Sequence, residues 1–175
     1  MNASEGVLVR PQAPLRQVSI MQGDIHCRAE PRILLTVLGS CVAVCLWDRA
    51  LGIGGMNHFV LPSDPRGEKN PRYGDVAIDE LQAGLLRLGC RVADLQAKVF
   101  GGAAVLASAG RESVGTSNVR LALVRLQDLR IPVTAQRTGG TLGQQIRFNT
   151  GTGEVFFRHI PQGTFSPLAA DGLHG

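Results

Sequence analysis

Residues 33–46 read ILLTVLGSCVAVCL, an almost unbroken apolar run interrupted only by Gly39-Ser40. Short apolar runs bounded by turn residues read as strands, and continuous apolarity marks strands covered on both faces. The stretch therefore predicts two β segments meeting at a sharp turn, each buried on both sides. Cys41 opens the second segment and Cys45 lies in its middle. Because side chains alternate along a strand, Cys41, Ala43 and Cys45 share one face.

Working outward, IGGMNHFVLP (53–62) predicts a further strand ending at Pro62, and SDPRGEKNPR (63–72) a polar loop whose prolines and glycine forbid regular structure. Asp75 is placed to cap a helix starting at Val76, with Ile78, Leu81, Leu85 and Leu88 on one face and Gly89 as its stop. LQAKVFGGA (95–103) predicts a strand ending in a glycine pair. SNVRLALVRLQDLRIP (117–132) predicts a second amphipathic helix capped by Ser117 or Asn118, and PVTAQ (132–136) a short strand after it. QQIRFNTGTGEVFFRHI (144–160) carries the hairpin signal, two alternating strands around an Asn-Thr-Gly-Thr-Gly turn. Strands outnumber helices and cluster at both ends, so the expected class is α+β, with helices layered on a sheet or sheet pair. Residues 1–19 are expected to be a flexible lead-in, 20–160 a single domain and 161–175 a flexible tail.

The 175 residues are 44% apolar and 18% charged, enough for one sizeable core. The net charge of +4 comes from scattered basic residues with no aromatic interleaving, which argues against a nucleic-acid groove. No apolar stretch reaches the roughly 20 residues of a membrane span, and the N-terminus lacks a secretory layout, so a cytoplasmic protein is expected. Four cysteines (Cys27, Cys41, Cys45, Cys90) are too few for a disulfide framework and are expected as thiols. Cys41 and Cys45 lack a second ligand pair downstream, which argues against zinc. Gly101-Gly102 lack the residues of a phosphate loop and read as backbone room near a site.

The two cysteines differ in setting. Cys45 reads as a small buried hydrophobe. Cys41 follows Gly39-Ser40, where a sharp turn can expose its sulfur and aim the amides of Ser40 and Cys41 at a bound oxyanion, as a nucleophilic thiol requires. A base is needed nearby. His26 and His174 are poorly placed and His159 ends the last strand. His58 sits in an apolar segment where an imidazole is costly unless hydrogen-bonded. From the residues alone, simple packing of Cys41 and a satisfied core role for His58 stand beside the catalytic reading.

TVLGSCVAVCLWD, GGMNHFVLP, RYGDVAIDELQAGLLRLG, AKVFGGAAVL, VGTSNV and GGTLGQQIRFNTGTGEV, in that order over about residues 30–158, resemble the CheD family of chemoreceptor glutamine deamidases. The resemblance implies a layered α/β structure with a β-sandwich-like core, related to the catalytic domains of deamidating bacterial toxins. It implies an amidohydrolase acting on glutamines of methyl-accepting chemotaxis receptors through a cysteine thioester, with methyl-ester hydrolysis on the same receptors, no cofactor, and the phosphatase CheC as a partner. A non-catalytic adaptor binding receptors and CheC is the alternative. The family's nucleophile carries over to Cys41 and its histidine to His58. Its orienting threonine stands six positions before the thiol, where this chain has Leu35, while Thr36 stands five before. A one-residue shift in a strand reverses the side chain, so Thr36 is expected to serve only through a turn or bulge before Gly39. Gln145 stands where a basic residue is common, which bears on partner contacts.

Overall fold

A computed structural model describes residues 14–104 and 112–161. In chain order they form β1 (Gln17–Ser19), β2 (Ile25–Arg28), β3 (Ile33–Leu38), β4 (Val42–Asp48), β5 (Ile53–Asn57), α1 (Gly74–Arg87), β6 (Leu95–Gly101), α2 (Val114–Asp128), β7 (Val133–Thr138), β8 (Gly143–Asn149) and β9 (Val155–Ile160). The strands make two mixed sheets, ordered β1-β3-β8-β9 and β2-β5-β4-β6-β7. The class is α+β, as expected.

The turn at Gly39-Ser40 does more than join two strands. β3 and β4 do not pair; the chain leaves one sheet at Leu38 and enters the other at Val42. β4 is central in the five-stranded sheet and is covered on both faces, as read from its apolarity. One face (Val42, Val44, Leu46) packs on Ile78, Leu81 and Leu85 of α1 and on Ala122 and Leu126 of α2. The other (Cys41, Ala43, Cys45) meets Leu34 and Leu38 of β3 and Ile146 and Phe148 of β8. The result is a sandwich of two sheets with both helices on one outer face. For β3 the sequence reading is corrected: Leu34, Thr36 and Leu38 are buried, but Val37 is 38% exposed because no element among the described residues packs on the outer side of its sheet. Each fully buried Leu, Ile or Phe of these interiors contributes about 1.5–3 kcal/mol.

Both helix starts differ from expectation. α1 begins after Tyr73, which supplies no side-chain cap, and Asp75 lies inside the first turn, where its carboxylate accepts the Asp64 amide and suits the helix dipole. α2 begins at Val114 and is capped by Ser113, which accepts the Thr116 amide at 3.1 Å. Ser117 and Asn118 are therefore helical, and Asn118 is fully buried. The early start follows from a backbone crossing: Gly115 lies so close to the carbonyls of Gly102 and Ala103 that a Cβ there would collide with them.

β1 falls within the expected flexible lead-in, yet it pairs in parallel with β3, Gln17 opposite Ile33 and Ser19 opposite Leu35. Its three residues are too few to carry a sequence pattern, and the partner strand supplies the order. Residues 1–13 and 162–175 lie outside the described residues. The hairpin forms as read, with Asn149 Oδ1 accepting the amides of Gly151 and Thr152. Among the described residues no helix is long and apolar enough to cross a membrane.

Candidate active site

The segment Gly39-Ser40-Cys41 is held by its carbonyls. Ala103 N donates to Gly39 O at 2.8 Å, Asn118 Nδ2 to Ser40 O at 3.0 Å, and Gly102 N to Cys41 O at 2.8 Å. Gly101 and Gly102 both take positive φ, and a Cβ on Gly101 would strike the Cys41 carbonyl, so the room read from this glycine pair is room for the turn itself. With the carbonyls occupied, the amides of Ser40 and Cys41 donate to no main-chain carbonyl among the described residues; that of Cys41 faces its own thiol.

Cys41 is not the exposed thiol expected from its place at a strand edge. It is only 7% exposed, because the turn lies between the sheets and Gln22 reaches over it, Nε2 to Sγ at 3.7 Å. Burial raises its pKa, opposed by the Arg72 guanidinium and by its own amide. Cys45, on the same face but inside the sandwich, is 1% exposed, and burial drives its pKa far higher against the weaker pull of Lys98. The contrast between the two sulfurs survives as one between rim and interior.

His58 follows β5 and is 4% exposed. The register that pairs Cys45 with Met56 and Val42 with Phe59 puts His58 opposite Ala43, on the face that Cys41 shares. Cys41 and His58 are thus diagonal neighbours across an antiparallel pair, a relation that typically separates residues by about 7–8 Å, less at the side chains. Between the bridge and the ladder, Asn57 Oδ1 takes the Val44 amide at 2.9 Å, so a side chain replaces the main-chain bond where the strand ends.

Thr36 lies in regular β3, opposite Ile146, with no bulge. It faces inward with Leu34 and Leu38, and its Oγ1 lies 2.8 Å from His58 Nδ1. The distortion required by the one-residue offset is absent, because the inward face of β3 already looks at His58. The same hydroxyl donates to Ile20 O at 2.7 Å. A hydroxyl carries one hydrogen; with that committed to Ile20, Oγ1 accepts from His58, which fixes the proton on Nδ1 and leaves Nε2 as the basic nitrogen. His58 Nε2 is buried and has no hydrogen-bond partner among the described residues. Burial lowers the His58 pKa most; the Ile20 carbonyl and Asp24 raise it, and Arg72 lowers it. Both shifts favour the neutral thiol and the neutral imidazole.

A cavity of about 480 Å³ opens beside this group, lined by Ile20, Gln22, Leu35, Thr36, His58 and Gln145 among others. It is large enough for an extended side chain, and His58 is part of its wall. Four contributors escaped sequence reasoning: the Ile20 carbonyl, Gln22, Arg72 and Asn118. None has a local signature; Asn118 looked like a helix cap because its neighbours are polar, while its work is to hold Ser40 and Val60, the latter at 2.8 Å. Of the other histidines, His26 lies on β2 opposite Met56 and His159 stacks edge-on against Phe157. His174 lies outside the described residues.

Against known proteins, the family model described as "CheD chemotactic sensory transduction" matches residues 60–159, starting just after His58. A Rhodospirillum rubrum protein named "Probable chemoreceptor glutamine deamidase CheD" is 56% identical over 139 residues, 79% of each chain. An Anaeromyxobacter dehalogenans protein, "Probable chemoreceptor glutamine deamidase CheD 1", is 45% identical over 82% of this chain and 85% of its own. One from Trichlorobacter lovleyi with the Rhodospirillum protein's name is 44% identical over 82% of this chain and 90% of its own. Family match and relatives span most of the described fold, and the chain belongs to the CheD family.

Proposed function

We propose that this protein is a cysteine-dependent deamidase that converts glutamine side chains of methyl-accepting chemotaxis receptors to glutamate, acting in the cytoplasm. Its catalytic residues are Cys41 as nucleophile, His58 as base and acid, and Thr36 as the residue that orients His58. The observation that supports this reading is the Ile20–Thr36–His58 chain, which leaves a buried Nε2 with no hydrogen-bond partner among the described residues, on a histidine that lines the cavity.

Because both groups are neutral at rest, attack and proton transfer proceed together. Nε2 takes the thiol proton as Sγ bonds to the amide carbon, and negative charge gathers on the amide oxygen beside the amides of Ser40 and Cys41. The intermediate collapses as imidazolium gives its proton to the amide nitrogen; the C–N bond breaks, ammonia leaves and a thioester remains. Water, deprotonated by Nε2, attacks the thioester. Breakage of the C–S bond then gives glutamate, and the proton returns to sulfur. The same groups can cleave a glutamate methyl ester, whose methanol leaves more readily than ammonia. We extend the proposal to the phosphatase CheC as a partner on the strength of the family resemblance.

The test is a receptor cytoplasmic fragment carrying its native glutamines, incubated with the protein and read by peptide mass spectrometry. Amide-to-acid conversion at discrete glutamines is the expected result. Normal binding with no conversion at any site would leave an adaptor and remove the enzyme.

A further inference from the structure

The turn between β1 and β2, Met21–Asp24, lies outside the recognisable motifs, yet it is stitched to the catalytic histidine. Gly23 N donates to His58 O at 2.7 Å, and His58 N to Asp24 O at 3.1 Å. Within the turn, Asp24 Oδ2 accepts the Met21 amide at 2.8 Å. Gly23 has φ +87, and a Cβ there would press on the Arg72 side chain, so the turn and Arg72 sit directly against each other. On this frame the carboxamide of Gln22 has a defined orientation. Its Oε1 accepts from Arg72 Nη2 at 3.4 Å, which turns the NH2 group toward Cys41 Sγ at 3.7 Å. A guanidinium has only donors, so the opposite orientation of the amide would set N–H against N–H.

We propose that Gln22, oriented by Arg72, is a further catalytic residue of the deamidation: its Nε2–H is a side-chain donor to the oxyanion that forms on the substrate carbon bonded to Cys41. The inference rests on the deamidase reading above. When Sγ bonds to the amide carbon, the charged oxygen lies one bond beyond that carbon, on the surface of the sulfur. A donor already 3.7 Å from Sγ and facing it needs only a small shift to reach the 2.7–3.1 Å at which oxyanion donors act, about the range for such sites. In the resting protein the oxygen is absent and the N–H spends itself on a weak bond to sulfur. In the intermediate it gains a charged acceptor, so the interaction strengthens as the reaction proceeds, which is the condition for lowering a barrier rather than merely binding. Gln22 also lines the cavity together with Thr36 and His58.

The experiment compares wild type, Gln22→Ala and Gln22→Glu in three measurements: kcat and KM for deamidation of a receptor fragment, and the rate of Cys41 alkylation by iodoacetamide. Alkylation at carbon develops no oxyanion and does not need the donor. Single oxyanion donors are worth about 10²–10³-fold in kcat. Gln22 is exposed and shares the task with two backbone amides, so Gln22→Ala is expected to lower kcat at least about tenfold, with KM within about threefold and alkylation no slower than in wild type. Gln22→Glu keeps the shape and the Arg72 contact but replaces N–H with a negative oxygen, and is expected to fall below Gln22→Ala. An unchanged or raised kcat in Gln22→Ala would overturn the donor role and leave Gln22 as a shield over the thiol. Parallel losses of deamidation and alkylation would overturn it in favour of a structural role. A wild-type protein that converts no glutamine while its thiol alkylates normally would remove the deamidase reading itself, an outcome distinct from the other two.

Discussion

β4 divides two interiors of like composition and unlike use. On the helix side, Val42, Val44 and Leu46 meet Ile78, Leu81, Leu85 and Leu126 in an apolar layer whose buried polar members include Asn118. On the sheet side, Ala43 and Cys45 meet Leu34, Leu38, Ile146 and Phe148, but at one end of this layer the apolar packing gives way to Cys41, Thr36 and His58. The helix side is filled by buried apolar side chains of the central sheet and both helices. The sheet side ends at a cavity, and there one of the buried polar groups, His58 Nε2, has no partner among the described residues. A buried unpaired nitrogen costs stability and is retained where something binds to it. The proposed chemistry thus lies at one end of the sheet side, while the helix side packs the central strands.

The largest expected effect separates the two sides most sharply. Cys41→Ala and His58→Ala remove groups that act as a unit, so each is expected to lower deamidation by at least roughly 10³-fold, and the double variant to be little worse than either single one. Both are expected to fold and to bind receptor. On the helix side, Leu81→Ala opens a cavity and is expected to cost about 2–5 kcal/mol of stability. Its kcat should stay within a few-fold wherever the protein remains folded. Denaturant unfolding beside single-site mass spectrometry checks both halves. A Leu81→Ala variant that is folded yet inactive would break the division.

Next in size is Thr36, where the sequence was least legible. The offset of one residue from the family's threonine argued for a bulge, but parity along β3 already points Leu34, Thr36 and Leu38 inward, and the ring that Thr36 meets comes from another sheet. Strand positions and the α1 face could be read locally, because alternation and helical spacing are local properties, whereas the assignment of Cys41 and His58 rests on the family resemblance. Ile20, Gln22, Arg72 and Asn118 could not, since each acts through a contact between segments distant in sequence, such as Asn118 to Ser40. Burial of the Cys41 sulfur was likewise hidden, as its cover comes from the Gln22 turn.

If Thr36 fixes the Nδ1–H tautomer, Thr36→Val is expected to lower kcat about 10- to 10²-fold, and Thr36→Ser to restore most of it. The pH profile gives the matching test. In the proposed mechanism the active form carries neutral His58 and a neutral thiol. Activity is lost as pH falls through the histidine's pKa, which burial places below 6.5, and changes again only as the thiol ionises, above its usual 9.0. The expected kcat/KM profile is a broad plateau between those limits. A narrow bell centred near neutrality would indicate a thiolate–imidazolium pair at rest instead. Full activity in a folded Thr36→Val variant would return the orienting role to the Ile20 carbonyl.

Asn118 tests whether the helix side supports the sheet side. It reaches from α2 through the helix-side layer to Ser40 O and Val60 O, the two carbonyls that flank the Cys41–His58 pair in sequence. Asn118→Asp has the same shape and no donors. It is expected to lower kcat about tenfold and stability by about 1–3 kcal/mol, the cost of buried acceptors left unpaired. A loss of stability with unchanged kcat would confine Asn118 to packing.

The smallest effect belongs to Cys45, four residues from the proposed nucleophile on the same face. Its sulfur is enclosed by the sandwich and touches none of the reacting groups, so it should behave as a volume rather than a thiol. Cys45→Ala removes one buried sulfur and is expected to cost about 1 kcal/mol, with kcat within twofold. Iodoacetamide discriminates between the two sulfurs more directly. Both pKa values are raised, so labelling near neutral pH should be slow and should accelerate with pH, because the thiolate is the reacting form. Cys41, at the rim and beside Arg72, should label first, and activity should fall in step with it. Cys45 should label only as the protein unfolds. If Cys45 is modified at the rate of Cys41 in the native protein, the sandwich is open further than β3 and β8 imply, and the rim-and-interior distinction between the two cysteines fails.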